Sequence, residues 1–282
     1  MRKRISERNI LPNFDLHAEY QKIEDLLSRR YTVSEVKSGS RRYYSDPSLS
    51  MEDLVATDFL GWELRGTFIT LEEMREELGI ARHVFYQNNF SEEVFLDFIQ
   101  YTANCVQRAR ILAKQYALKL PETYPAALMD NMEAVLSHLG AEFSADNESG
   151  EIFVCYSNEI SDVIAETHPD IERSLMEYRS IDNQGNLHRK EEILSTLYKK
   201  FESIRSALKN AGFDALQSDT GLLLNVVRHT PKCNIAKQFA EMNNDEKERW
   251  YDKTYELFLA CLAVYPYINV KSDINQLKKL EA

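Results

Sequence analysis

Apolar residues recur every three and four positions along most of the chain, the period of a helix with one buried face. The first such stretch is Phe14 to Arg30, where Leu16, Tyr20, Ile23, Leu26 and Leu27 share a side. Val33 to Ser50 is polar, with Lys37-Ser38-Gly39-Ser40-Arg41-Arg42 and Asp46-Pro47, and reads as an exposed loop. A short helix is predicted over Ser50 to Phe59. Thr70 then stands as an N-cap for Leu71 to Leu78, with Glu73 three residues on as in a capping box and Gly79 as the stop. Ser91 opens a long stripe of Val94, Phe95, Phe98, Ile99, Thr102, Cys105, Val106, Ala109, Leu112 and Ala113, which runs to about Leu118 before Pro121.

Tyr124 to Leu139 carries Leu128, Met132, Val135, Leu136 and Leu139 on one face and ends at Gly140. The period then changes. Ala141 to Ser144 and Glu151 to Tyr156, joined by a polar turn containing Gly150, predict one small β-hairpin at about residues 141–156. Helices resume from Ser157 or Asn158 to about Thr167. After His168-Pro169 another is predicted from Asp170, as its N-cap, to Ile181. The longest is expected over His188 to Asn210, where Leu194, Leu197, Phe201, Ile204 and Leu208 alternate three and four as in a bundle seam, with Gly212 as its cap. Ser218 or Asp219 begins a dense apolar run, Leu222-Leu223-Leu224-Asn225-Val226-Val227, that ends in Arg228-His229. From Pro231 a linker leads to a last helix from Asn244 or Asp245 to about Tyr265, and the tail from Lys271 is polar. The expected fold is therefore all-α, a mostly helical bundle with one β-hairpin, with a boundary near Leu120-Pro121: residues 1–120 as one helical region, 121–282 as a second unit carrying the hairpin.

Composition agrees with long elements, since glycine (9) and proline (7) are few in 282 residues. No run of about 18 apolar residues occurs, so no membrane span is expected. The basic start, Met1 to Arg8, is not followed by an apolar core and does not read as a secretory signal. Cys105, Cys155, Cys233 and Cys261 lie far apart without metal-type spacing, and three sit in apolar surroundings, as suits reduced thiols of a cytoplasmic protein. Net charge is −11, but residues 1 to 45 hold ten Lys/Arg against six Asp/Glu. An acidic body disfavours broad binding to nucleic acid, whose affinity comes from neutralising phosphates, but leaves room for a local basic site.

The glycine-rich phosphate loops, zinc-binding His pairs and nucleophile elbows of familiar enzymes are absent from the sequence, so neither a nucleotide cofactor nor a dedicated metal site is expected. His168-Pro169-Asp170 reads as a helix-joining turn, Arg42-Tyr43-Tyr44 as an exposed loop, and Arg82-His83 as part of a surface helix. Arg228-His229 stands apart, because a cationic pair ends a helix that is otherwise apolar. Positive charge there complements the helix dipole by about 0.3–1 kcal/mol. Beyond that, Arg228 has the fork to grip a phosphate and His229 the pKa to exchange protons near neutrality.

The run Leu222 to Asn234, the long helix before it, the stretch Glu248-Arg249-Trp250-Tyr251-Asp252 and the hairpin with its following helix resemble the C-terminal part of bacterial HEPN-like proteins of the abortive-infection type, over about residues 121–268. The resemblance implies an all-helical, commonly dimeric unit that cleaves RNA without metal, as a toxin in cytoplasmic defence against phage. Arg228 matches the family's arginine and His229 the polar residue after it. The family's more distal histidine has no counterpart. Cys233 and Asn234 stand at that distance, Asn234 as a possible accessory group, and neither is a good proton donor at neutral pH. Since general acid-base catalysis contributes about 100-fold to 10,000-fold, that departure also keeps a catalytically inactive helical scaffold or protein-binding module in view.

Overall fold

The structure is a computed structural model that describes residues 14–32, 34–35, 48–86, 90–116, 118–120, 123–146, 149–228 and 234–280. Among these residues it holds twelve α-helices and three small antiparallel strand pairs. The mostly helical class with a small hairpin is what the spacing predicts. Two compact units are present, Met1–Tyr156 and Ser157–Ala282. Their division falls after the hairpin instead of near Pro121.

The first unit contains α1 (Leu16–Leu27), β1 (Tyr31–Thr32), β2 (Ser34–Glu35), β3 (Ser48–Leu49), α2 (Met51–Ala56), α3 (Leu71–Glu77), α4 (Arg82–Tyr86), α5 (Glu92–Gln115), β4 (Leu118–Lys119), α6 (Thr123–His138), β5 (Ala141–Ala145) and β6 (Ile152–Tyr156). Local signals set the starts. Ser50 and Asp53 close a reciprocal capping box on α2. Thr70 accepts from Glu73 N–H at 3.1 Å, while the Glu73 carboxylate reaches one residue further back to Ile69 N–H at 2.7 Å. Ser91 caps α5 through Val94 N–H.

α5 is the hub, packed against α1, α2, α6, β4 and β6. Its Phe95, Phe98 and Ile99 are fully buried, and Tyr20 of α1 stacks on Phe85 of α4 at 3.9 Å. Polar residues on α5 explain why the hairpin belongs here. Two strands alone are marginal in water. Asn104 accepts from Ile152 N–H at 2.9 Å and donates to Ile152 O at 2.7 Å, and Gln100 accepts from Val154 N–H at 2.7 Å. These amides satisfy the outer edge of β6 much as another strand would. Sequence spacing gives no sign of this, because Gln100 and Asn104 lie outside the apolar stripe of the helix.

The second unit contains α7 (Glu159–Thr167), α8 (Glu172–Arg179), α9 (Leu187–Asn210), α10 (Asp214–Arg228), α11 (Asn234–Glu241) and α12 (Asn244–Leu280). Its core joins Leu194, Leu197, Phe201, Ile204 and Leu208 of α9 to Leu224 and Val227 of α10 and to Tyr255, Phe258, Leu259 and Leu262 of α12. At Gly212 (φ +88°) the chain turns through the left-handed region, and Phe213 N–H bonds to Leu208 O at 3.0 Å, ending α9.

The main differences from the predicted elements lie in this unit. α10 begins at Asp214, directly after that turn, so the Ser218 or Asp219 start is corrected. α11 occupies residues assigned to a linker. α12, not α9, is the longest helix and runs through Pro266 to Leu280. Tertiary contact offsets the proline there: Ile268 packs on the core, and Lys271 Nζ donates to Ala211 O at 2.7 Å. Asp170 does not cap α8, whose N-cap position is Ile171, because its carboxylate is taken by Lys200 at 2.9 Å.

Candidate functional site

α10 is held by its apolar face. Leu224, Val226 and Val227 are buried, and Gly221 faces α9, where a Cβ would make ordinary contacts at 3.4 Å to the Phe201 ring and 3.5 Å to an Arg205 nitrogen. Thr220, fully buried, donates to Leu216 O at 2.7 Å and lies 3.3 Å from Cys261 Sγ on α12. This packing carries the helix to Arg228, its last residue. Asn234 is the first residue of α11. The two therefore mark the ends of consecutive helices with five residues between them, and His229 lies among those five, outside the described residues. The side chains of Arg228 and Asn234 are likewise outside the described set. A helix C-terminus, which favours cations, is thus followed, after five intervening residues in the sequence, by a helix N-terminus, which favours anions.

The Glu248-to-Asp252 stretch has a clear local role. Lys190 of α9, 5% exposed, places its ammonium 2.7 Å from Glu248 and 2.9 Å from Asp252. Tyr178 of α8 donates to the same Asp252 at 3.0 Å and stacks on Tyr255 at 4.1 Å. Tyr255 in turn pairs its hydroxyl with Ser161 at 2.9 Å. Burial is the main cause that raises the Tyr178 pKa, and Asp252 adds to it, so the phenol stays protonated. Burial alone would raise the Glu248 carboxyl, but the Lys190 bond and the Gly185 N–H outweigh it and leave the pKa below its ordinary value. The cluster ties α7, α8, α9 and α12 together.

No family model matches the chain, and no curated protein or solved structure matches it either.

In the first unit the structure assembles a cluster that the sequence kept apart. Arg75 donates to Glu52 at 2.8 Å and to Glu24 at 3.1 Å; Arg82 reaches the other oxygens of the same two carboxylates, each at 2.6 Å. Tyr101 adds a bond to Glu52 at 3.0 Å. The ring lies at a cleft of about 610 Å³ lined also by Arg30, Asp53, Glu76, His83 and Tyr86. Burial would lower the Arg75 pKa, but the two glutamates more than reverse it. Permanently charged guanidinium groups saturated by carboxylates do not shuttle protons, so this ring is a fastener for α1 to α5. Arg82 is half exposed on its short helix and His83 is on the surface. Their adjacency in sequence gives no sign of the ring, since its four members are scattered from Glu24 to Arg82.

The Asp170 carboxylate is held by Lys200 at 2.9 Å. Burial and Lys200 lower the His168 pKa, and the Lys200 hydrogen bond is the first cause of the depressed Asp170 value. Arg42, Tyr43 and Tyr44 lie outside the described residues. Among the described residues no helix is long and apolar enough to cross a membrane.

Proposed function

We propose that the second unit is a HEPN-like, metal-independent endoribonuclease of the abortive-infection type, or a degenerate relative of one, acting on RNA in cytoplasmic anti-phage defence. The observation that supports this reading is that Arg228 ends α10 and Asn234 begins α11, the next helix in the chain. In the proposed reaction a ribose 2′-hydroxyl gives up its proton to a base and attacks the neighbouring phosphorus. The 5′-oxygen leaves and takes a proton from an acid, which yields a cyclic phosphate and a new 5′-hydroxyl. Arg228 stabilises the charge that develops on the phosphoryl oxygens. His229 serves as base or acid, and a homodimer supplies the second proton-transfer group in trans. Asn234, unable to transfer a proton, holds the phosphate or the attacking hydroxyl by hydrogen bonding.

Purified protein incubated with labelled RNA in EDTA tests the reading. Cleavage by the wild type that Arg228→Ala and His229→Ala each reduce about 100-fold or more supports it, in line with the usual contributions of a charge-stabilising donor and of an acid-base group. Absence of cleavage by the wild type at high protein concentration sinks it. The alternative reading is a catalytically inactive scaffold that binds a protein partner.

A further inference from the structure

The two edges of the hairpin differ. In the register that pairs Ala145 with Ile152 and Phe143 with Val154, the β6 members turn their N–H groups to Asn104 and Gln100 of α5, away from β5. Such pairs alternate with hydrogen-bonded ones along an antiparallel ladder, so Phe143 and Ala145 turn their own N–H and C=O groups the other way, to the outer edge of β5. The Asp146 N–H, which donates to Glu151 O at 2.8 Å, fits the same alternation. The β6 edge is thus closed by amides. At the β5 edge, among the described residues, no hydrogen bond reaches the main chain of Phe143 or Ala145. α6 packs on β5, but a helix bonds its main-chain groups to itself and cannot pair a strand. Ala145 is exposed and Phe143 partly so, which leaves the edge within reach of a partner.

We propose that β5 takes an extended, lysine- or arginine-rich segment of another protein as a third strand of this sheet. An open edge is a template for a further strand, and charge selects which strand it receives. Residues 123–156, which make up α6 and the hairpin, carry six Asp/Glu and no Lys or Arg. A second copy of the chain would set that acidic stretch against itself, and like charges placed opposite one another destabilise a strand pair. A basic segment meets the opposite sign. Main-chain bonds to Phe143 and Ala145 hold it, and the alternation of side chains sets what it carries: a cation level with Glu142, an apolar residue beside Phe143. The edge is only five residues long, so the interaction is weak and sensitive to salt. The inference concerns the first unit and does not rest on RNA cleavage by the second.

A fluorescent peptide of alternating lysine and valine, titrated with the full chain, reads the interaction by anisotropy. It is expected to bind, and a glutamate-valine counterpart to bind about tenfold more weakly or worse. Two blocks separate strand pairing from charge alone. Methylation of the main-chain nitrogens of the lysine-valine peptide keeps its charge but removes its donors. Ala145→Pro removes an outward N–H of β5 and leaves the hairpin's own ladder in place, since proline is tolerated where that group faces away from the sheet. Each block is expected to weaken binding about tenfold or more. If the proline variant fails to fold, the methylated peptide on the wild type decides. Hydrogen exchange at Phe143 and Ala145 N–H is expected to be fast in the free chain and slowed by the peptide. No binding of the lysine-valine peptide overturns the proposal, and so does equal binding of its methylated form, which would mean attraction to an acidic surface only. Protection of both N–H groups in the free chain also overturns it, because the edge is then already filled by the chain itself or by a second copy.

Discussion

In the first unit two arginines and two glutamates close a ring in which every carboxylate meets two cations; in the second, one buried lysine faces two acids. The ring is also the drier of the two. Arg75, Glu24 and Glu52 side chains are nearly covered, whereas Asp252 leaves 47% of its side chain in water. A buried charge that loses its partner costs several kcal/mol, but one that can rehydrate does not. The first unit therefore depends on its charged fastener far more than the second depends on its own, although the two look alike as inventories of ion pairs.

The largest expected effect is that of Arg75→Met. It strips one cation from both glutamates and should cost about 3–5 kcal/mol. Hydrogen exchange would show it as lost protection in α2 and α3. A cost under about 0.5 kcal/mol would mean that Arg82 alone sustains the ring, and the contrast between the units would fail.

Next is Glu248→Gln, expected to cost about 1.5 kcal/mol at neutral pH through the weakened bond to Lys190. This change also carries a pH signature. The folded-state pKa of Glu248 lies below its ordinary 4.5, so the unfolded chain takes up the proton first as pH falls. Its contribution is present above about pH 4.5 and disappears as pH drops through the folded value. Denaturant melts of the variant should therefore show a flatter acid limb than those of the wild type, and an unchanged limb would remove Lys190 as the cause.

The smallest effect is expected from Lys200→Ala. Its partner Asp170 is 59% exposed, and pairs of this kind contribute about 0–1 kcal/mol. A thermal melt that shifted by more than a few degrees would show that the α8–α9 region responds to exposed charge as the first unit responds to buried charge.

Much of the helical pattern could be read directly from sequence, because capping is a contract among residues three or four apart. Ser50, Thr70, Ser91 and Asn158 all start helices where their spacing to the next N–H predicts. The hairpin strands were equally legible from the change to period two. α11 was not, as its eight residues follow a proline and carry few large apolar side chains. The candidate site was legible only in part. That Arg228 ends a buried helix follows from the apolar run before it; that Asn234 opens the next one does not.

Where most helices begin, which of their faces are apolar and that a hairpin interrupts them are written in local sequence, since each depends on neighbours within a turn or two. Tertiary structure alone decided which distant groups meet. Glu24, Glu52, Arg75 and Arg82 become one ring, Asn104 becomes the edge partner of β6, and α12 runs past Pro266, where Lys271 bonds back to Ala211. The physical reason is the same in each case: a polar or helix-breaking residue is unfavourable locally, and only a contact from elsewhere in the chain can offset it.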